Sequence, residues 1–255
     1  MGLIGENGAG KSTIINAILD IVKKDNGNVY FWGKELSSSK QLKEDIGVVF
    51  DSINFYDTLT PNKVGKISSF AYKQWDKCLY QKFLERFQIP TDKNIKTLSK
   101  GMKVKLCIAI ALSHKPKLLI LDEATSGLDP VIRDDILDIF MEFVQNENHS
   151  ILICSHITSD LEKIADYIIF IHKGKILFCK TKDELCCNYG IIRCGSNFFD
   201  EIDKNEILTY RKDNHQWNVL VSDKEKAKLK YKNAIVDDVT IDDILILYAK
   251  GEQLK

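Results

Sequence analysis

Gly5-Glu6-Asn7-Gly8-Ala9-Gly10-Lys11-Ser12-Thr13 decides how this chain is read. The stretch fits G-x-x-x-x-G-K-S, follows the apolar pair Leu3-Ile4, and runs into a helical pattern that puts Ile14, Ile18 and Ile21 on one face. Glycines that tolerate positive φ let such a loop fold its backbone N–H groups around phosphate oxygens, and the helix N-terminus adds favourable partial charge. Lys11 then reaches the β- and γ-phosphates, and the Ser12 hydroxyl is placed to ligate Mg²⁺. Average residue frequencies produce the four fixed positions in roughly one chain in a hundred of this length. The plainer alternative, a glycine turn before a helix, is disfavoured by the strand-loop-helix context.

Downstream, Leu118-Leu119-Ile120-Leu121-Asp122-Glu123 ends an unbroken apolar run with two carboxylates. Such a run reads as a strand buried on both faces, and its carboxyl end is where parallel sheets bind ligands. An acidic pair after a strand is usually a solvated loop. Beside a phosphate loop it reads as the magnesium-shell Asp122 and the water-polarising Glu123, because phosphoryl transfer rests on positioning and charge neutralisation. Ser150–Cys154 and Tyr167–Ile171 read as further strands, and Pro130 opens a helix whose Ile132, Ile136, Ile139, Phe140 and Phe143 recur at helical spacing. The interval of about 52–112 carries helical patterns at Asn62–Trp75 and Asp76–Phe87, then an apolar helix over Met102–Leu112. It is read as a helical insertion in a mostly parallel α/β sheet domain spanning 1–195. Residues 196–255 are more charged and predict a small α+β accessory domain. It has a hairpin of Ile207–Tyr210 against Trp217–Val221, a Lys-rich helix near Asp223–Lys230 and a last helix near Ile241–Lys250.

Composition bounds the function. Lys and Arg number 36 and so do Asp and Glu, so no basic footprint points to nucleic acid, and no nucleic-acid partner is expected. Seven cysteines, odd in number and mostly inside apolar runs, suit a reducing cytosol. Cys186, Cys187 and Cys194 lack the His or fourth Cys of zinc-like spacing. No apolar run reaches the roughly 18 residues of a spanning helix, so a membrane role requires a partner.

With these motifs in order, the sequence resembles the ABC ATPases, a branch of the P-loop NTPase fold, over nearly all of residues 1–180. Leu98-Ser99-Lys100-Gly101-Met102 is similar to the family's signature loop, with Lys and Met in place of the usual Gly and Gln. Ser126-Gly127-Leu128-Asp129 is similar to its D-loop, and His156 matches its switch histidine. Ser99 and Asp129 also suit helix N-caps, and the two roles can coexist. The resemblance implies ATP and Mg²⁺ as cofactors and His156 on the γ-phosphate. It also implies a head-to-tail dimer in which Ser99 and Gly101 contact the nucleotide held by Gly5–Thr13 of a second subunit. It further implies an integral membrane permease as partner, and hence a cytoplasmic protein held peripherally at the inner face of the cell membrane.

Departures from the family pattern are informative. Asp51 follows Ile46–Phe50 where glutamine is usual, so it is an expected metal-shell residue acting through water, shorter and charged. Asp51, Phe55-Tyr56 and the 98–102 loop together look like exporter ATPases of the bacitracin-resistance type. Ala124 stands where proline is usual. Family members carry some tens of residues ahead of the phosphate loop, including antiparallel strands and a ring that stacks on adenine. This chain begins four residues before Gly5, so truncation or a late start is the expectation. Two readings stay open: a transporter ATPase coupled to a separate permease, or a nucleotide-binding regulatory or interaction subunit with little turnover. A ribosome- or DNA-directed cassette protein is opposed by the lack of a second cassette.

Overall fold

The computed structural model describes residues 1–36, 40–51, 55–213 and 216–252. The chain clusters into two compact units, Met1–Leu3 with Gly10–Ile164, and Ile4–Ala9 with Ala165–Lys255. In the first unit the elements run β1 (Gly2–Ile4), α1 (Lys11–Ile18), β2 (Tyr30–Phe31), β3 (Lys34–Glu35), α2 (Lys40–Glu44) and β4 (Ile46–Phe50). They continue with α3 (Pro61–Ala71), α4 (Lys77–Arg86), α5 (Lys100–Ser113), β5 (Leu118–Asp122), α6 (Pro130–Val144), β6 (Ser150–Cys154) and α7 (Thr158–Ile164). Neighbouring strands β4-β5-β6-β1 are all parallel, with Phe50 in register with Asp122 and Asp122 with Cys154. The central strand β5 explains that arrangement: Leu119, Ile120 and Leu121 are fully buried, as a strand covered on both faces requires.

The helical insertion has the expected helices, and each begins with a side-chain cap. Thr60 accepts from Lys63 N with Pro61 in the first turn, Asp76 accepts from Leu79 N, and Ser99 accepts from Met102 N. Such caps satisfy N–H groups that a helix start leaves unpaired. The buried Tyr80 ring lies over Gly65, where a Cβ would come within 2.3 Å of it, and its hydroxyl donates to Pro61 O at 2.8 Å. Residues 52–54, the start of the expected insertion, lie outside the described residues.

One helix differs from its reading. The face after the phosphate loop is set by Ile15, which is fully buried, whereas Ile21 is 62% exposed and lies beyond the helix. Leu19 caps α1 and Asp20 follows with φ 62°, a left-handed residue that ends the helix before Ile21.

In the second unit, β7 (Tyr167–His172) and β8 (Lys175–Thr181) form an antiparallel hairpin turned by Lys173-Gly174. A second sheet combines β9 (Gly190–Cys194), β10 (Ile207–Asp213), β11 (Gln216–Val221) and β12 (Ile235–Asp238) in the order β10-β11-β9-β12. Helices α8 (Ser196–Phe199), α9 (Lys224–Lys230) and α10 (Ile241–Lys250) complete the unit. The expected hairpin is β10 against β11, and the sheet takes in Gly190–Cys194, on the N-terminal side of residue 195. Ile192, Val219, Val221 and Tyr231 form its core. Among the described residues no helix is long and apolar enough to cross a membrane.

Candidate functional site

Within the first unit, α1, β5 and the turn after β6 converge. The helix begins at Lys11 directly after Gly10, whose φ of 107° requires glycine. Lys11 is 6% exposed, and its Nζ lies 3.6 Å from Glu123 Oε1. Ser12 Oγ donates to Asp122 Oδ1 at 3.2 Å. The other Glu123 oxygen, Oε2, is 2.5 Å from His156 Nδ1. Five expected residues, Lys11, Ser12, Asp122, Glu123 and His156, are thus brought into one group although they lie up to 145 positions apart (156 − 11) in the chain.

Glu123 is held in an uncommon backbone state. Its φ is 54°, a left-handed conformation that costs a non-glycine residue free energy and clusters at functional sites. Two hydrogen bonds enforce it: Glu123 N donates to Cys154 O at 2.9 Å, and Ser126 N donates to Glu123 O at 3.0 Å. Glu123 follows the last residue of β5, and its two carboxylate oxygens face Lys11 and His156. Burial, and secondarily the facing Asp122 carboxylate, pushes the Cys154 thiol well above its ordinary range, so it stays protonated beside the site.

The phosphate-loop residues Gly5–Ala9 belong to the second unit. There a Cβ at Gly5 would come within 2.3 Å of Ile171 O on β7. Ala9 N donates to Glu6 O, and the β7–β8 turn contributes Gly174 N, which donates to Ala9 O, both at 3.0 Å. His172 Nδ1 sits 3.5 Å from Glu6 Oε2, a contact that the sequence reading missed because the partners are far apart in the chain.

The remaining expected residues occupy other positions. Ser99 and Asp129 are N-caps of α5 and α6, with Asp129 accepting from Ile132 N at 3.0 Å, and Gly101 is buried in the first turn of α5. Asp51 is exposed, one residue past the Phe50–Asp122 register pair. Sequence reasoning also missed Asp160. This fully buried carboxylate accepts from Thr125 Oγ1 and from Arg133 Nε, each at 2.5 Å, tying the segment after Glu123 to α6 and α7.

Residues 1–126 match the family model described as ABC transporter. Over 207 residues the chain is 36% identical to the lantibiotic transport ATP-binding protein SrtF of Streptococcus pyogenes, covering 81% of this chain and 84% of that one. The chain belongs to the family of ABC transporter ATP-binding proteins. This ABC protein is also 32% identical over 184 residues to YtrB of Bacillus subtilis, an ABC transporter ATP-binding protein, covering 72% of this chain. It is 35% identical over 179 residues to the bacitracin transport ATP-binding protein BcrA of Bacillus licheniformis, covering 69% of this chain. The expected likeness to bacitracin-type ATPases is therefore borne out. The chain spans 63% of the length of YtrB and 58% of that of BcrA. A solved ATP-binding subunit of an ABC transporter superposes with a TM-score of 0.63 at 27% identity, over 72% of this chain and 79% of that one. The α/β reading of the ABC cassette fold is thus borne out as well.

Proposed function

We propose that this chain is the ATP-hydrolysing subunit of an ABC transporter, driving export through a separate membrane permease. The observation that carries the reading is Glu123, held off the end of β5 with one oxygen toward Lys11 and the other on His156. In this reading Gly5–Thr13 wrap the triphosphate and Lys11 neutralises charge on its β- and γ-phosphates. Glu123 orients the attacking water and draws its proton, while His156 steadies the Glu123 carboxylate and faces the γ-phosphate.

Ser12 Oγ and Asp122 Oδ1, 3.2 Å apart, are hard oxygen donors close enough to share one small cation, so the donor set fits Mg²⁺. When bound, Mg²⁺ would neutralise charge on the phosphate oxygens. Asp51 is assigned to the outer shell of that ion, through water.

A second copy of a cassette, packed head to tail, would present Ser99, Gly101 and Asp129 to the nucleotide, an isologous pairing of ordinary two-fold kind. The helical insertion of about 52–112 is assigned to the permease, at the inner face of the cell membrane. The ATPase role is assigned to the parallel-sheet domain, and an accessory role to the smaller sheet, which takes in Gly190–Cys194 ahead of residue 196. The likeness to SrtF and BcrA, which carry lantibiotic and bacitracin transport in their descriptions, supports export. The exposed Asp51, where the family usually has glutamine, favours a second reading, a regulatory nucleotide-binding subunit with little turnover.

Glu123→Gln separates the two. It keeps size and hydrogen bonding but loses the charge that orients water. ATP binding should persist, an ATP-dependent dimer should accumulate, and turnover should fall by at least tenfold, about 1.4 kcal/mol of barrier. Absence of turnover in the wild-type chain supports the regulatory reading, and a variant that hydrolyses like the wild type removes Glu123 from the mechanism.

A further inference from the structure

Lys100 occupies an electrostatically awkward place. It is the first residue of α5, where the helix dipole is positive, and the first turn of that helix contains no acidic residue. Lys103 and Lys105 follow on the same helix, and Lys105 is paired with Asp135 on α6 at 3.1 Å. A cation at this point needs an acceptor, and Lys100 Nζ has one: it donates to the main-chain oxygen of Ser126 at 2.8 Å, a charge-assisted bond across 26 positions of sequence.

The receiving segment is shaped to fit. Gly127 has φ 65°, and a Cβ there would come within 2.6 Å of Lys100 Nζ, so the missing side chain is the space that the ammonium fills. The residue bonded to Lys100 is also the one bonded to Glu123: the Ser126 N–H donates to the main-chain oxygen of Glu123 at 3.0 Å, while the Ser126 main-chain oxygen accepts from Lys100. On the other side, Thr125 is anchored by its hydroxyl to the buried Asp160. Residues 125–127 are therefore clamped from α7 through Thr125 and from α5 through Lys100. Without the second clamp, the peptide that keeps Glu123 left-handed is restrained from one side only.

We propose that Lys100 is a positioning residue for ATP hydrolysis. Its bond to Ser126 O couples the start of α5 to the backbone of Glu123 and fixes the direction of the Glu123 carboxylate. The inference rests on the proposed ATPase role of Glu123 and concerns a side chain that acts on it through the Ser126 main chain. It also assigns a purpose to the lysine that stands where the family usually has glycine: the longer side chain ties together two loops of one subunit.

The test compares Lys100→Met, which keeps the length and loses the ammonium, with Lys100→Arg, which restores a donor, in the full chain. Amide hydrogen exchange over residues 124–128 is measured without nucleotide, and kcat, KM and Tm are measured with ATP. Lys100→Met should speed exchange over 124–128 by about tenfold and lower kcat by about tenfold. KM should stay within about twofold and Tm should be unchanged, and Lys100→Arg should recover most of both losses. Unchanged exchange in Lys100→Met overturns the proposal whatever turnover does. Faster exchange with kcat within twofold of wild type overturns it too, as does a rise in KM that alone accounts for the loss. If the wild type shows no turnover, it is the ATPase reading that fails, and the exchange measurement still decides whether Lys100 holds this segment.

Discussion

Two carboxylates, Glu123 and Glu206, are surrounded by positive or proton-donating side chains, yet they are built in opposite ways. In the second unit Glu206 receives Lys226 at 2.9 Å, Lys230 at 3.1 Å and the Tyr231 hydroxyl at 2.7 Å, which hold its carboxyl down to about 2, Lys226 contributing most. Every partner lies on or just after α9. Glu123 has fewer contacts and a poorer backbone: Lys11 stands off at 3.6 Å, His156 takes one oxygen, and φ is 54°. A carboxylate whose capacity is filled by neighbours serves stability, whereas one held out on a strained turn keeps capacity for an incoming molecule.

Four measurements can break or sharpen that contrast. The largest effect is expected at Asp160, because removing one partner of a buried pair strands the other. Asp160→Ala should cost about 3–5 kcal/mol in chemical unfolding, and a loss below about 1 kcal/mol would show that Arg133 and Thr125 find water instead. Next comes Lys11→Ala, which should reduce turnover by roughly 100- to 1000-fold, about 2.7–4 kcal/mol of barrier, while Tm moves by only a few degrees. A Tm that collapses with the activity would make Lys11 a structural lysine.

Glu206→Gln tests the other side of the comparison through its pH dependence. Its folded pKa is depressed, so the stabilisation is present above about 4.5 and is lost as pH falls toward about 2. At neutral pH the substitution should cost about 1 kcal/mol after allowance for solvent screening, and wild type and variant should converge near pH 2. A gap that widens on acidification would reverse the sign of the argument. The smallest effect belongs to Arg86 and Glu142, a two-pronged but exposed pair at 2.6 and 2.7 Å in the first unit. A double-mutant cycle should return a coupling of about 0.2–1 kcal/mol that fades at high salt.

What was legible in the sequence follows from how local each signal is. Helices α3, α4 and α6 announce themselves through caps, prolines and apolar spacing contained in each segment, and β5 through its unbroken apolar run. The residues that gather around Glu123 could be picked out because the order of short motifs is a linear property. What escaped depends on tertiary pairing. Asp160 reads as an ordinary acid in a helix's first turn until Thr125 and Arg133 are brought to it. Strand β8 has no clean alternation in Lys-Ile-Leu-Phe-Cys-Lys-Thr and owes its form to pairing with β7. Ile21 fitted the periodic face, but the left-handed Asp20 intervenes, and nothing in an aspartate's identity compels that conformation.

The left-handed Glu123 has a consequence for how this sequence can drift. Glycine would occupy φ 54° without the clash that a Cβ brings, so Glu123→Gly should relax the turn while abolishing the function proposed for it. Selection for robustness and selection for work then point in opposite directions at a single codon. A library sorted only for thermal tolerance should enrich inactive glycine variants at position 123, and only a screen that demands turnover would hold the glutamate in place.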